Sequence, residues 1–142
     1  MTEKVGKMLQ IVRKLWIYAK NYPFSVALLI IVWLLSFCTP PKTKLDGVAF
    51  IDKWTHIVMY GTTGLAIWIE SIRLRQMPPA KKIFLWAWLA LLVMSAVIEV
   101  LQETCTGGRR SGDLADFAAN AVGVSLAAVI GLIVLRLRSS RD

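Results

Sequence analysis

Three short runs of this chain hold residue types that can do chemistry. Asp52, His56 and Tyr60 recur at i, i+4 and i+8, with Lys53 beside the first of them. Glu99, Gln102 and Glu103 stand at i, i+3 and i+4, and Asp113, Asp116 and Asn120 at i, i+3 and i+7, preceded by Arg109 and Arg110. Each spacing puts its set on one face of a helix. Glu99 and His56 are the candidates for general acid/base work, since a desolvated carboxyl and an imidazole can both be tuned to titrate near neutral pH. Arg109 and Arg110 suit two-pronged capture of a carboxylate or phosphate. Other chemistries are poorly supplied. His56 is the one histidine, so a zinc site would have to lean on carboxylates and Cys105, and no metal is expected. Ser111 has no triad except through His56. No glycine-rich nucleotide loop occurs, and no cofactor is expected.

Each of these residues also has a purely structural reading. His56 can be a hydrogen-bonded packing residue, Tyr60 a packed aromatic with one hydrogen bond, and Asp52 with Lys53 an interfacial ion pair. Asp113 suits the N-cap of a following helix, with Asp116 favouring the same dipole. Asn120 suits a clamp between helices. Glu99 is the hardest to explain by folding alone.

The elements that must position these groups follow from the apolar residues, 56% of the 142, with mean hydropathy +0.58. They gather into blocks at 22–38, 54–69, 83–98 and 117–135, none of which holds a Lys, Arg, Asp or Glu. A bilayer core of ~30 Å takes ~20 residues of helix and ~17 at the short end. The expectation is an all-α polytopic membrane protein, a bundle of four transmembrane helices over 22–138. A basic amphipathic segment at 1–21 precedes it and a short tail at 139–142 follows. In the first segment Val5, Met8, Leu9, Val12, Leu15, Trp16 and Ala19 line one helix face among Lys4, Lys7, Arg13, Lys14 and Lys20, as an interfacial helix on an anionic leaflet would. Pro23 suits a first helical turn, and the block behind it reads as a retained anchor. Gly61 and Gly64, with the Gly123, Ala127 and Gly131 stripe, predict close helix contact. Cys38 and Cys105 are expected as free thiols near the outer face.

Twelve of the seventeen Lys and Arg flank the blocks on one side, and six of the nine acidic residues lie on the other. The positive-inside rule then puts both termini in the cytoplasm of a bacterial cytoplasmic membrane and all three polar runs at the outer face. The net charge of +8 is topology rather than a nucleic-acid footprint, which needs basic residues on one folded surface. Glu99 stands sixteen residues beyond Ile83, ~24 Å along a helix and so ~6 Å below the outer surface. An unpaired carboxylate at mid-membrane costs ~2.5–3.5 kcal/mol, which predicts a counter-ion, Arg109 or Arg110.

The same residues carry a resemblance. Asp52, Lys53, His56 and Tyr60 resemble the D-K-x-x-H-x-x-x-Y opening of VanZ-like membrane proteins, and Glu99 with Gln102 their E-x-x-Q segment. Arg110, Asp113, Asp116, Asn120 and Gly123 are similar to their R-x-x-D-x-x-D-x-x-x-N-x-x-G stretch. The likeness covers about half the chain in the right order. It implies a helical protein of the bacterial cell envelope tied to glycopeptide resistance, with teicoplanin the associated antibiotic. Together these readings predict an outward polar pocket of Asp52, Lys53, His56, Tyr60, Glu99, Gln102, Arg109, Arg110, Asp113, Asp116 and Asn120. Its expected partners are membrane lipids or lipid-linked cell-wall intermediates held by an anionic headgroup. An acid/base enzyme acting on such a headgroup is the alternative. A small transporter is less favoured, because the inner halves of the helices offer few polar residues for a path.

Overall fold

The computed structural model describes residues 2–38, 49–107 and 112–140, and every element among them is helical. Helix α1 runs over Thr2–Asn21, α2 over Pro23–Phe37 and α3 over Ile51–Arg73. Helix α4 covers Ala80–Cys105 and α5 covers Leu114–Ser139. Pro23 occupies the first helical position of α2, where its missing N–H goes unneeded, and the chain bends by 100° between α1 and α2. Phe50, with φ 58°, turns the chain into α3. Within α4 the ladder widens to π-helical bonding over Leu85–Ala90. Trp88 in that turn reaches Ser125 of α5 with its indole N–H, at 3.0 Å.

The closest packing is between α3 and α5, and small residues make it possible. A Cβ on Gly61 would lie 3.3 Å from the Gly123 carbonyl oxygen, and one on Gly64 2.9 Å from the Ala127 Cβ. A Cβ on Gly123 would run into the Ile57 carbonyl, and one on Gly131 into the Trp68 ring. The glycine stripe is therefore the contact face, as its spacing predicted. Trp68 is fully buried there, and its indole N–H has no acceptor among the described residues.

Glu70, near the end of α3 and only 6% exposed, fastens α2. Its carboxylate accepts the backbone N–H groups of Phe24 (2.8 Å) and Ser25 (3.0 Å), and the Ser25 hydroxyl. These donors open α2 and have no acceptor within their own helix, and the positive end of the helix dipole favours the charge. At the other end of α2, the Ser36 carbonyl accepts from Gln102 of α4 at 2.7 Å. Helix α2 thus runs antiparallel to α3 and parallel to α4. Glu70→Ala is expected to lower stability by about 1–3 kcal/mol, since it strands buried donors that a charged acceptor now satisfies. Thermal melting in detergent reads this, and a loss within 0.5 kcal/mol, the range about typical of surface changes, would refute the role.

By length and hydropathy α4 and α5 can each cross a membrane, and the count reaches three if the bent α1–α2 pair is one span. Their outer faces carry large exposed apolar side chains, among them Val93, Val97, Val100, Val122, Leu126, Val129 and Ile133. Such continuous apolar surface marks a membrane setting. The chain is an all-helical protein with two to three candidate spans, where the sequence predicted four. Two helices fall outside that count for physical reasons. Helix α2 has 15 residues, ~22 Å. Helix α3 is long enough at 23 residues, but it carries the polar residues that its neighbours cover.

Candidate functional site

The start of α3, the end of α4 and the start of α5 meet at one end of the molecule. The first turn of α5 sets the frame, because Asp113 accepts the backbone N–H of Ala115 at 2.8 Å and caps the helix. Two carboxylates from α4 take the N–H groups just ahead of it: Glu99 accepts from Asp113, and Glu103 from Gly112, each at 2.9 Å. A Cβ on Gly112 would meet the Glu99 carbonyl, so this approach requires a glycine. From α3, Lys53 donates to Asp113 and to Asp116, and lies 2.9 Å from Asp52. One ammonium thus ties α3 to the N-terminus of α5.

The histidine is held from behind. His56 Nδ1 lies 3.0 Å from Asn120 Oδ1, and Asn120 Nδ2 donates to Ser95 Oγ at 2.8 Å. With its amide nitrogen committed to Ser95, Asn120 presents its oxygen to the ring, so Nδ1 carries the proton and donates. The opposite nitrogen, Nε2, faces Asp116 Oδ2 at 3.5 Å. One ligand-type atom each from His56, Glu99 and Asp116 lies within 4.8 Å of the others. These three come from three helices, so no spacing along the chain showed them as a group.

Beside the trio runs an open groove of about 400 Å³ lined by Ala96, Glu99, Val100, Glu103, Gly112, Asp113, Leu114 and Phe117. It is polar where the carboxylates stand and apolar along Ala96, Val100, Leu114 and Phe117. Val100 and Leu114 are 61% and 82% exposed.

Of the predicted pocket, Lys53, His56, Glu99, Asp113, Asp116 and Asn120 come together, with Asp52 at the exposed rim. Gln102 does not join them. It is buried and turned to the Ser36 carbonyl of α2, so its role is structural. Tyr60 is buried beneath the site against Ser95, which continues the chain from His56 through Asn120. Arg109 and Arg110 lie outside the described residues. Lys53, to which sequence reasoning gave only Asp52, pairs with Asp52, Asp113 and Asp116, while Glu99 takes the Asp113 N–H. Ser95 was missed, although it stands at i−4 from Glu99 on the same face. Glu70 was missed too, although it follows Thr63 by seven residues on the buried face of α3. No disulfide joins Cys38 to Cys105.

The Lys53 ammonium, followed by the Ala115 N–H, holds the Asp113 carboxyl below the ordinary aspartate range. A carboxyl lowered in the folded state stabilises above its unfolded value, and that contribution is lost as pH falls through the folded one. Thermal stability is therefore expected to drop below about pH 4, and Asp113→Asn should make that drop shallower. Equal slopes for the two proteins in an acid melting series would refute the assignment.

Compared with known protein families, with curated proteins and with solved structures, the chain has no match.

Proposed function

We propose that this is an integral membrane protein of the bacterial cell envelope that binds a lipid or lipid-linked cell-wall intermediate by its anionic headgroup. The observation that carries the reading is the groove between α4 and α5, polar at one end and with an exposed apolar wall below. That division matches an amphiphile: the wall takes the chain, and the polar end takes the headgroup. In this reading α2 to α5 are four spans, α1 is an interfacial helix, and the basic flanks keep both termini cytoplasmic. The groove then opens at the outer face, where a glycopeptide would meet its target. The resemblance to VanZ-like proteins agrees, and teicoplanin susceptibility is the phenotype to score. In this reading Arg109 and Arg110, three and two residues before Gly112 in the sequence, supply the positive charge for the headgroup.

A second reading, an acid/base enzyme acting on the same headgroup, draws on the held imidazole of His56 facing Asp116. It differs in one measurable respect: the bound headgroup is recovered chemically changed.

The test is mass spectrometry of lipids that co-purify with protein extracted in native membrane patches. One phosphorylated species is expected at least tenfold enriched over bulk membrane, with the enrichment lost in the Arg109→Ala, Arg110→Ala double variant. A lipid profile equal to bulk membrane would refute binding. For topology, in a Cys38→Ser, Cys105→Ser background an impermeant thiol reagent on intact cells should modify a Gly107→Cys variant and spare Pro78→Cys, and the reverse would move the groove to the cytoplasm.

A further inference from the structure

The described part of this site has the wrong sign for an anion. Asp52, Glu99, Glu103, Asp113 and Asp116 face one lysine and one histidine there, and Lys53 is already shared among three carboxylates. Within this crowd the His56 ring is fixed so that Nε2, the nitrogen not donating to Asn120, points at Asp116 Oδ2. In a neutral imidazole that nitrogen is a lone pair, and two lone-pair bearers facing each other repel unless a positive charge lies between them.

The distances fit a cation held between them: Nε2 and Oδ2 stand 3.5 Å apart. Two ligands of a tetrahedral zinc, each ~2.0–2.2 Å from the metal, stand ~3.4 Å apart. A Glu99 oxygen, within 4.8 Å of a ligand-type atom of each of the other two residues, needs to close by roughly 1 Å to complete the same geometry. That is within reach of a glutamate side-chain rotation.

We propose that His56 Nε2, Glu99 and Asp116 form a site for one divalent transition cation of the zinc or manganese type. One imidazole and two carboxylates suit these ions, and three protein ligands leave a position open for water or an anion, as in working rather than structural sites. The surroundings fit a metal ligand. The other His56 nitrogen donates to Asn120, which Ser95 holds in turn, the outer arrangement that fixes a ligating ring. Asp116 gives its other oxygen to Lys53, which leaves Oδ2 for the cation. The use of this cation rests on the headgroup reading: a phosphate would take the open position and be bound through the metal, as phosphoryl oxygens are elsewhere. The cation site itself stands without that reading.

The test uses tag-free, full-length protein in detergent, depleted of lipid, chelator-washed and reloaded with Zn²⁺ or Mn²⁺. Elemental analysis should find about one equivalent retained, with calorimetric affinity lowered at least tenfold in His56→Asn and in Glu99→Gln. Glu70→Gln, a carboxylate at the far end, should leave the affinity unchanged. Because His56 is the only histidine, Cu²⁺ bound to the parent protein should show coupling to a single imidazole nitrogen by pulsed electron paramagnetic resonance. That readout decides the matter even where a variant does not fold. Absence of stoichiometric binding, affinity unchanged by His56→Asn, or bound copper without imidazole coupling would each overturn the site. No lipid enters this experiment, so its failure is separate from failure of the lipid enrichment above.

Discussion

Gly123→Ala is expected to lower stability by about 3 kcal/mol, because it places a methyl group against backbone rather than against a side chain that can swing away. The nearest atoms to the new Cβ are the Ile57 carbonyl and the Gly61 nitrogen, so α3 and α5 must separate to admit it. Gly61→Ala, on the opposite helix of the same contact, meets the Gly123 oxygen at 3.3 Å and should cost clearly less. Gly6→Ala, with nothing within 4 Å, should be neutral or slightly stabilising through helix propensity, by up to about 1 kcal/mol. Melting of the three variants in one detergent gives the order. If Gly123→Ala melts with Gly61→Ala, the two backbones are not in the contact described. The site should fail along with the fold, since Asn120 and Asp116 stand within two turns of Gly123 and move with it. Headgroup enrichment should then fall in Gly123→Ala even where the protein still inserts.

The polar faces were legible in the sequence because helical period alone decides which residues share a side. Asp52, His56, Glu99, Asp113, Asp116 and Asn120 were grouped that way, and they do converge. The same rule misplaced Gln102, and the reason is angular. At about 100° per residue, Glu103 returns to within ~40° of Glu99, while Gln102 falls ~60° to the other side. Helix α4 uses one edge of that stripe for α5 and the other for α2, and a single helix's spacing holds no record of how many neighbours flank it. Lys53 was undervalued for a related reason. Its partners Asp113 and Asp116 lie 60 and 63 residues away, and only the fold brings them together. Glu70 escaped because it stands one residue past an uncharged block, where a charge needs no partner to be explained. In the structure it is the acceptor that starts another helix. The count of spans is ambiguous in the same physical terms. A helix sheltered by neighbours can keep polar residues that a lipid-facing one cannot, so hydropathy under-reports α3.

Asn120→Leu is expected to be the most damaging single change inside the site itself. Asn120 is 1% exposed and serves two partners at once, accepting from the His56 ring and donating to Ser95. Leucine has the same branching with bulkier methyl tips, and it leaves the ring N–H and the serine hydroxyl each without that bond in a buried place. At about 1–3 kcal/mol for each stranded group, the loss should be about 2–5 kcal/mol. Asn120→Asp separates bonding from packing. Its carboxylate can accept from both the imidazole and the serine O–H, so it should retain the ring's orientation and most of the stability that leucine loses. The functional consequence follows from the same geometry. A ring released from Asn120 no longer directs Nε2 at Asp116, and outer-shell losses of this kind lower metal affinity by about 10- to 100-fold. Zn²⁺ affinity and headgroup enrichment should therefore both fall in Asn120→Leu and survive in Asn120→Asp. Equal stability and equal affinity in the two variants would mean that Asn120 only fills space, and that His56 is positioned by something other than this hydrogen bond.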